Sequence, residues 1–112
     1  MDTLSKEILI KKEKERLNKT FSKLSEDTQS TVLPLIDKVA FMSVTLDDLQ
    51  NEINKNGFTE TYLNELNQIK VNKSVLVDVY ETMFKNYSML MKYLNSFLPK
   101  EQIEEDDGFD DL

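Results

Sequence analysis

Two stretches of this chain repeat apolar residues at alternating spacings of three and four, and no other feature limits its fold so strongly. In the first, Val32, Leu35, Val39, Met42, Leu46, Leu49 and Ile53 are separated by 3, 4, 3, 4, 3 and 4 positions. In the second, Leu76, Tyr80, Met83, Tyr87, Leu90, Leu94 and Phe97 follow at 4, 3, 4, 3, 4 and 3. A helix gathers each set onto one stripe, whereas a strand would scatter it over both faces. Each seam covers 22 residues, about 32 Å of helix at 1.5 Å per residue. Two seams of equal length predict a long antiparallel helical hairpin.

The residues that flank the seams supply helix ends. Ser25 is a suitable N-cap, and Glu26 and Asp27 complement the first-turn dipole. Asn56-Gly57 provides the stop, because glycine adopts the left-handed conformation without penalty. Pro34 lies inside this helix and is best accommodated in a first turn, which favours a start near Leu33. The second helix has Ser74 as its cap, Asp78 near its start and Pro99 at its end. Between the helices, Phe58, Thr59, Thr61 and Tyr62 are good strand formers. Asn64-Glu65 can turn the chain and Ile69 to Val71 can return it, so a small β-hairpin or an irregular connector is expected. A shorter helix over about residues 3–21 precedes the hairpin. The expected fold is therefore all-α, with a basic helix in 1–24, a helical hairpin in 25–99 and an acidic tail in 100–112.

The apolar stripes are wider than one hairpin needs. Ile36, Phe41 and Val44 lie beside or behind the first seam, and Val79, Phe84, Met91 and Leu98 beside the second. A pair of helices covers one face of each, so the surplus needs the first helix, another subunit, or both. Ile36, Phe41, Val44, Val79, Phe84 and Met91 are thus the expected oligomer interface.

Composition narrows the chemistry. The chain has no His and no Cys, which removes the commonest general base, the commonest metal ligand and the thiolate. Two glycines leave no phosphate-cradling loop. No apolar run approaches the roughly 20 residues of a membrane span. These absences point to a soluble, cytoplasmic, non-catalytic protein with no cofactor, no metal and no membrane partner.

Charge is divided along the chain. Residues 1–24 carry net +3, residues 25–98 net −4 and residues 99–112 net −6, which suggests different partners at the two ends. On the first helix, Ile10, Leu17, Phe21 and Leu24 form one stripe. Lys12, Arg16, Lys19 and Lys23 form another near the opposite side. Glu7–Lys11 and Glu15–Lys19 stand at the spacing that supports a solvated helix, so the basic strip reads either as a solvated face or as a phosphate-contacting surface. Lys70 and Lys73 make the second half of the connector basic and are further candidates for DNA contact, or plain surface lysines. No aromatic residue in the strip offers base stacking, so contact with double-stranded DNA would be led by the backbone. In the tail, Phe109 and Leu112 flank Asp110 and Asp111 among the acids. The charge density predicts a segment that does not fold alone. It is either a solubilising tail or a docking peptide, with apolar anchors that supply burial and acids that steer.

The segment "KNGFTETYLNELNQIKVNKSVLVDVYETMFKNYSMLMKYLNSFLPK" resembles the C-terminal half of small terminase subunits of tailed phages. The likeness lies in "NG…Y.N…NQ…K.S", in a helix with "M.KNY", and in "L…FLPK". The preceding "AFMSVTLDDLQNEIN" is similar to the helix before it in such proteins. The resemblance spans roughly residues 38–100, with Asn64-Glu65-Leu66 standing where the pattern has Asn-Gly. It implies a homo-oligomeric ring that engages viral DNA and recruits or regulates the large ATPase–nuclease subunit in the host cytoplasm. The residues ahead of the hairpin are too few for the helix-turn-helix domain that many such subunits carry, so DNA contact would rest on the basic helix and the ring surface. Two other readings fit the residues: a small helical adaptor that binds one protein partner without DNA, and an acidic phage inhibitor that mimics DNA towards a host enzyme.

Overall fold

A computed structural model describes residues 3–99. In chain order it contains α1 (Thr3–Thr20), α2 (Glu26–Asn56), β1 (Thr59–Leu63), β2 (Ile69–Lys73) and α3 (Val75–Asn95). Among the described residues the fold is mainly α, with three helices and a two-stranded antiparallel sheet. The connector hairpin does form, so the fold is not strictly all-α.

Every residue of both seams is buried or half-buried. Leu94 and Leu98, at the end of α3, share a core with Val32 and Ile36, at the start of α2. That contact fixes α2 and α3 as antiparallel. Leu17 and Phe21 of the α1 end join the same core. Lys14 reaches Asp37 at 3.4 Å and Ser43 Oγ donates to Glu13 Oε2 at 3.5 Å, so α1 also runs antiparallel to α2. At 31 residues, α2 outruns its neighbours of 18 and 21. One end of the molecule is consequently a three-helix bundle. The other is a helix pair topped by the β-hairpin, within an envelope of 63 × 33 × 20 Å.

Helix α2 begins at Glu26 rather than near Leu33. Ser25 Oγ accepts from Thr28 N at 3.3 Å. Gln29 Nε2 donates to the carbonyls of Ser22 and Leu24 at 2.7 and 3.0 Å, tying the α1–α2 turn to the first helical turn. Pro34 then sits in the helix interior and leaves one carbonyl without its usual donor. Ser30 and Pro34 are both exposed, so water can satisfy that carbonyl. Burial of Val32 only two positions earlier favours keeping the helix intact through the proline. At the other end, Gly57 has φ +87°, and its N–H caps the Ile53 carbonyl at 2.7 Å. Helix α3 ends at Asn95, short of Pro99, because the residue before a proline is driven out of the helical region. Its last turn tightens through Phe97 N to Leu94 O and Leu98 N to Asn95 O, both at 3.0 Å.

Ile36 and Val44, expected between subunits, are 1% and 6% exposed within the single chain. They lie four and twelve positions after Val32, with Ala40 between them, on the side of α2 that α1 covers. The first helix therefore absorbs that part of the surplus. Met91 is half-buried against the same core.

Candidate nucleic-acid interface and the surfaces beside it

Leu17 and Phe21 anchor one side of α1 in the core, which leaves Lys12, Arg16 and Lys19 exposed on the other. Lys23, also exposed, lies in the turn after Thr20. All four cations are exposed, but they are not equally free. Arg16 Nε donates to Glu13 Oε1, and Glu13 in turn accepts from Ser43 of α2. Arg16 is thereby tied to the α1–α2 junction, with its side chain still 63% exposed. Beside it opens a shallow cavity of about 250 Å³ lined by Leu9, Lys12, Glu13, Arg16, Ser43, Val44 and Asp47. Tyr87 of α3 reaches the same junction through Ser43. Burial pushes its hydroxyl pKa up, and the hydrogen bond with Ser43 partly opposes that. Arg16, Glu13, Ser43 and Tyr87 form a polar link across all three helices.

Lys70 and Lys73 do not join this strip. They stand on the β-hairpin, at the far end of α2 from Lys19 and Lys23. Lys70 is exposed on β2. Lys73 is held by two carboxylates, Asp78 at 3.0 Å and Glu81 at 3.1 Å. Hydrogen bonds to Asp78 and then Glu81 raise its pKa. An ammonium shared between two acids of its own chain is a poor phosphate ligand, so its role is to brace the hairpin on α3. Glu60 does the same from β1. Its Oε1 accepts from Val75 N at 3.2 Å and from Ser74 Oγ at 3.4 Å, and it supplements the Ser74 cap, whose own Oγ accepts from Leu76 N at 3.2 Å.

Of the remaining expected interface residues, Phe41, Val79 and Phe84 are 46%, 41% and 50% exposed. Phe84 stacks on Tyr80 with ring centroids 6.1 Å apart. Lys6 lies over the Phe41 ring at 4.8 Å, close to the exposed Leu4, Ile8 and Leu9 of the same helix. Val79 belongs to a larger feature. Val75, Val79, Thr82, Asn86, Met89 and Tyr93 are all exposed and follow at spacings of 4, 3, 4, 3 and 4. Each stands one position before a residue of the inner seam. That offset rotates the outer stripe about 100° around α3, so the helix carries a covered seam and an uncovered one side by side. The sequence shows this second heptad phase once the residues that precede each inner-seam position are read as a set.

Phe109, Asp110, Asp111 and Leu112 lie outside the described residues. Among the described residues, no cluster of three acidic, His or Cys side chains could hold a metal ion, and no helix is long and apolar enough to cross a membrane. Compared with known proteins, the chain matches no family model, no curated protein and no solved structure.

Proposed function

We propose that this chain is a small terminase subunit of a tailed phage, a non-catalytic, ring-forming protein that binds viral DNA and recruits or regulates the large packaging subunit. The uncovered heptad stripe on α3 carries this reading. A helix whose inner seam is already packed has no use within the subunit for a second stripe in which exposed Val75, Val79, Met89 and Tyr93 flank the polar Thr82 and Asn86. Lateral packing of copies around a ring covers that stripe in every subunit with one repeated contact. The basic strip of α1 then recurs around the ring, and weak single-strip affinity for phosphates becomes avidity. The tail supplies the contact to the large subunit, through Phe109 and Leu112 among acids that steer them to a basic groove.

Duplex binding tests the DNA arm of this reading. The parent chain is expected to shift duplex DNA at low salt, with affinity that falls steeply as salt rises. Substitution of Lys12, Arg16, Lys19 and Lys23 by Glu is expected to abolish the shift. No affinity in the parent at low salt would mean that the strip is a solvated face. A monomer in that same preparation would favour an adaptor that binds one protein partner.

A further inference from the structure

All ten strand residues of the β-hairpin are exposed. A two-stranded ribbon on its own is marginal in water, and among the described residues this one is braced at its base, by Glu60 and Lys73. Its turn is well made. Asn64 Oδ1 accepts from Leu66 N and Gln68 N, both at 2.9 Å, and Asn67 takes the left-handed conformation at φ 59°. Beyond the turn and the base, nothing among the described residues covers the sheet.

The ladder fixes which groups are free. Asn64 N donates to Gln68 O at 3.1 Å, and Ser74 N donates to Phe58 O at 2.7 Å. Pairs in an antiparallel ladder alternate between bonded and non-bonded. With the register Thr61↔Val71 and Leu63↔Ile69, those residues fall in the non-bonded pairs. Their backbone N–H and C=O groups point outwards, from β1 on one edge and from β2 on the other. Their side chains share one face, apolar towards the turn and ending at Thr59 and Lys73 towards the base, whereas Glu60, Tyr62, Lys70 and Asn72 share the other. Neither edge carries the proline or bulge that commonly blocks further pairing. Charge is sorted by strand: β1 and its turn hold Glu60 and Glu65, and β2 holds Lys70 and Lys73.

We infer that the hairpin docks a second copy of this chain by edge pairing, the β1 edge of one subunit against the β2 edge of the next. Each edge offers the same pattern of outward groups, so one copy supplies the complement of the other. Sorted charge selects the direction. A β1–β1 contact would set acids beside acids, whereas β1 against β2 sets Glu60 and Glu65 near Lys70, Lys73 being held already by Asp78 and Glu81 of its own chain. Hairpins that point the same way around an axis give antiparallel pairing at every such contact, so the contact is head-to-tail and can close on itself. The same contact brings α2, which leads into β1, towards the neighbour's α3, which follows β2 and carries the uncovered stripe. This inference rests on the ring reading and adds the element that sets subunit direction.

Disulfide trapping tests it on a background with no cysteine. Single variants Thr61→Cys or Leu63→Cys on one chain and Ile69→Cys or Val71→Cys on another are unfolded together, refolded and oxidised. Bonded partners on neighbouring strands lie about 5.5 Å apart between Cα atoms, inside the roughly 4.4–6.8 Å that a disulfide spans. The expected result is linked dimers in mixtures of a β1 and a β2 variant and none with either variant alone. Linkage of Thr61→Cys to itself would overturn the head-to-tail direction. No linkage in any mixture, with the solution mass still that of a multimer, would overturn edge pairing and leave the ring reading in place. A monomeric mass would overturn both.

Discussion

Replacing Ile36 by Ala separates a residue of the subunit core from a residue of an interface between subunits. Ile36 is 1% exposed and shares its core with Leu17, Phe21, Val32, Leu94 and Leu98, drawn from all three helices. The change removes three carbon atoms from this site. At about 0.8 kcal/mol per buried methylene the transfer loss is roughly 2.4 kcal/mol, and the cavity left behind adds to it. Alanine is the better helix former by a few tenths of a kcal/mol, which offsets little. The net expectation is about 2.5–3.5 kcal/mol. With an unfolding entropy of about 2.1 cal/mol/K per residue, that lowers Tm by roughly 10–15 °C in a chain of 112 residues. Urea unfolding at one fixed protein concentration measures it, since assembly makes stability depend on concentration. A loss below about 1 kcal/mol, together with dissociation of the oligomer, would refute the placement of Ile36 inside the subunit.

Other expectations follow from the same packing. Ser25→Ala removes the cap on Thr28 N and should cost about 1 kcal/mol, read by the same denaturation assay. Gly57→Ala meets no atom within 4 Å, so its loss of about 1–3 kcal/mol comes from backbone conformation alone, at φ 87° and ψ −178°, a region essentially confined to glycine. Tyr87, whose pKa is raised by burial, binds its proton more tightly folded than unfolded. Its contribution is therefore complete below the ordinary tyrosine pKa of about 10 and is lost as pH rises through the folded value. Tyr87→Phe should flatten the alkaline arm of a stability–pH curve. If all four strip cations contact phosphates, the plot of log affinity against log salt should have a slope of about −3.6 per engaged subunit, and the Glu variant should lose it.

The seams were fully legible because each of their residues does one thing, which is to pack against the neighbouring helix. The extra residues were not, because Ile36 and Phe41 look equally surplus on a helical wheel. Only the placement of α1 decides that the first is covered and the second exposed at 46%. Pro34 misled for a local reason. Its propensity argues for a helix start, but the Ser25 cap and the burial of Val32 outweigh one lost backbone bond at an exposed carbonyl. In the connector, strand propensity located the hairpin. Asn67 rather than Glu65 takes the left-handed position of the turn, which suits an asparagine. Lys73 was indistinguishable from Lys70 in the sequence, since its engagement with Asp78 and Glu81 requires β2 to meet α3 at Ser74.

The proposed function depends most directly on the uncovered α3 stripe being an interface between copies. Light scattering coupled to size exclusion at micromolar concentration measures this, on the parent and on a chain with Val79, Met89 and Tyr93 changed to Ser. These three side chains are 41%, 61% and 52% exposed, so the changes should leave the helical far-ultraviolet spectrum intact. The account predicts a parent of more than four subunits and a variant that falls to smaller species. A parent that remains a monomer across that concentration range, or a variant that keeps the full parent mass, would contradict it.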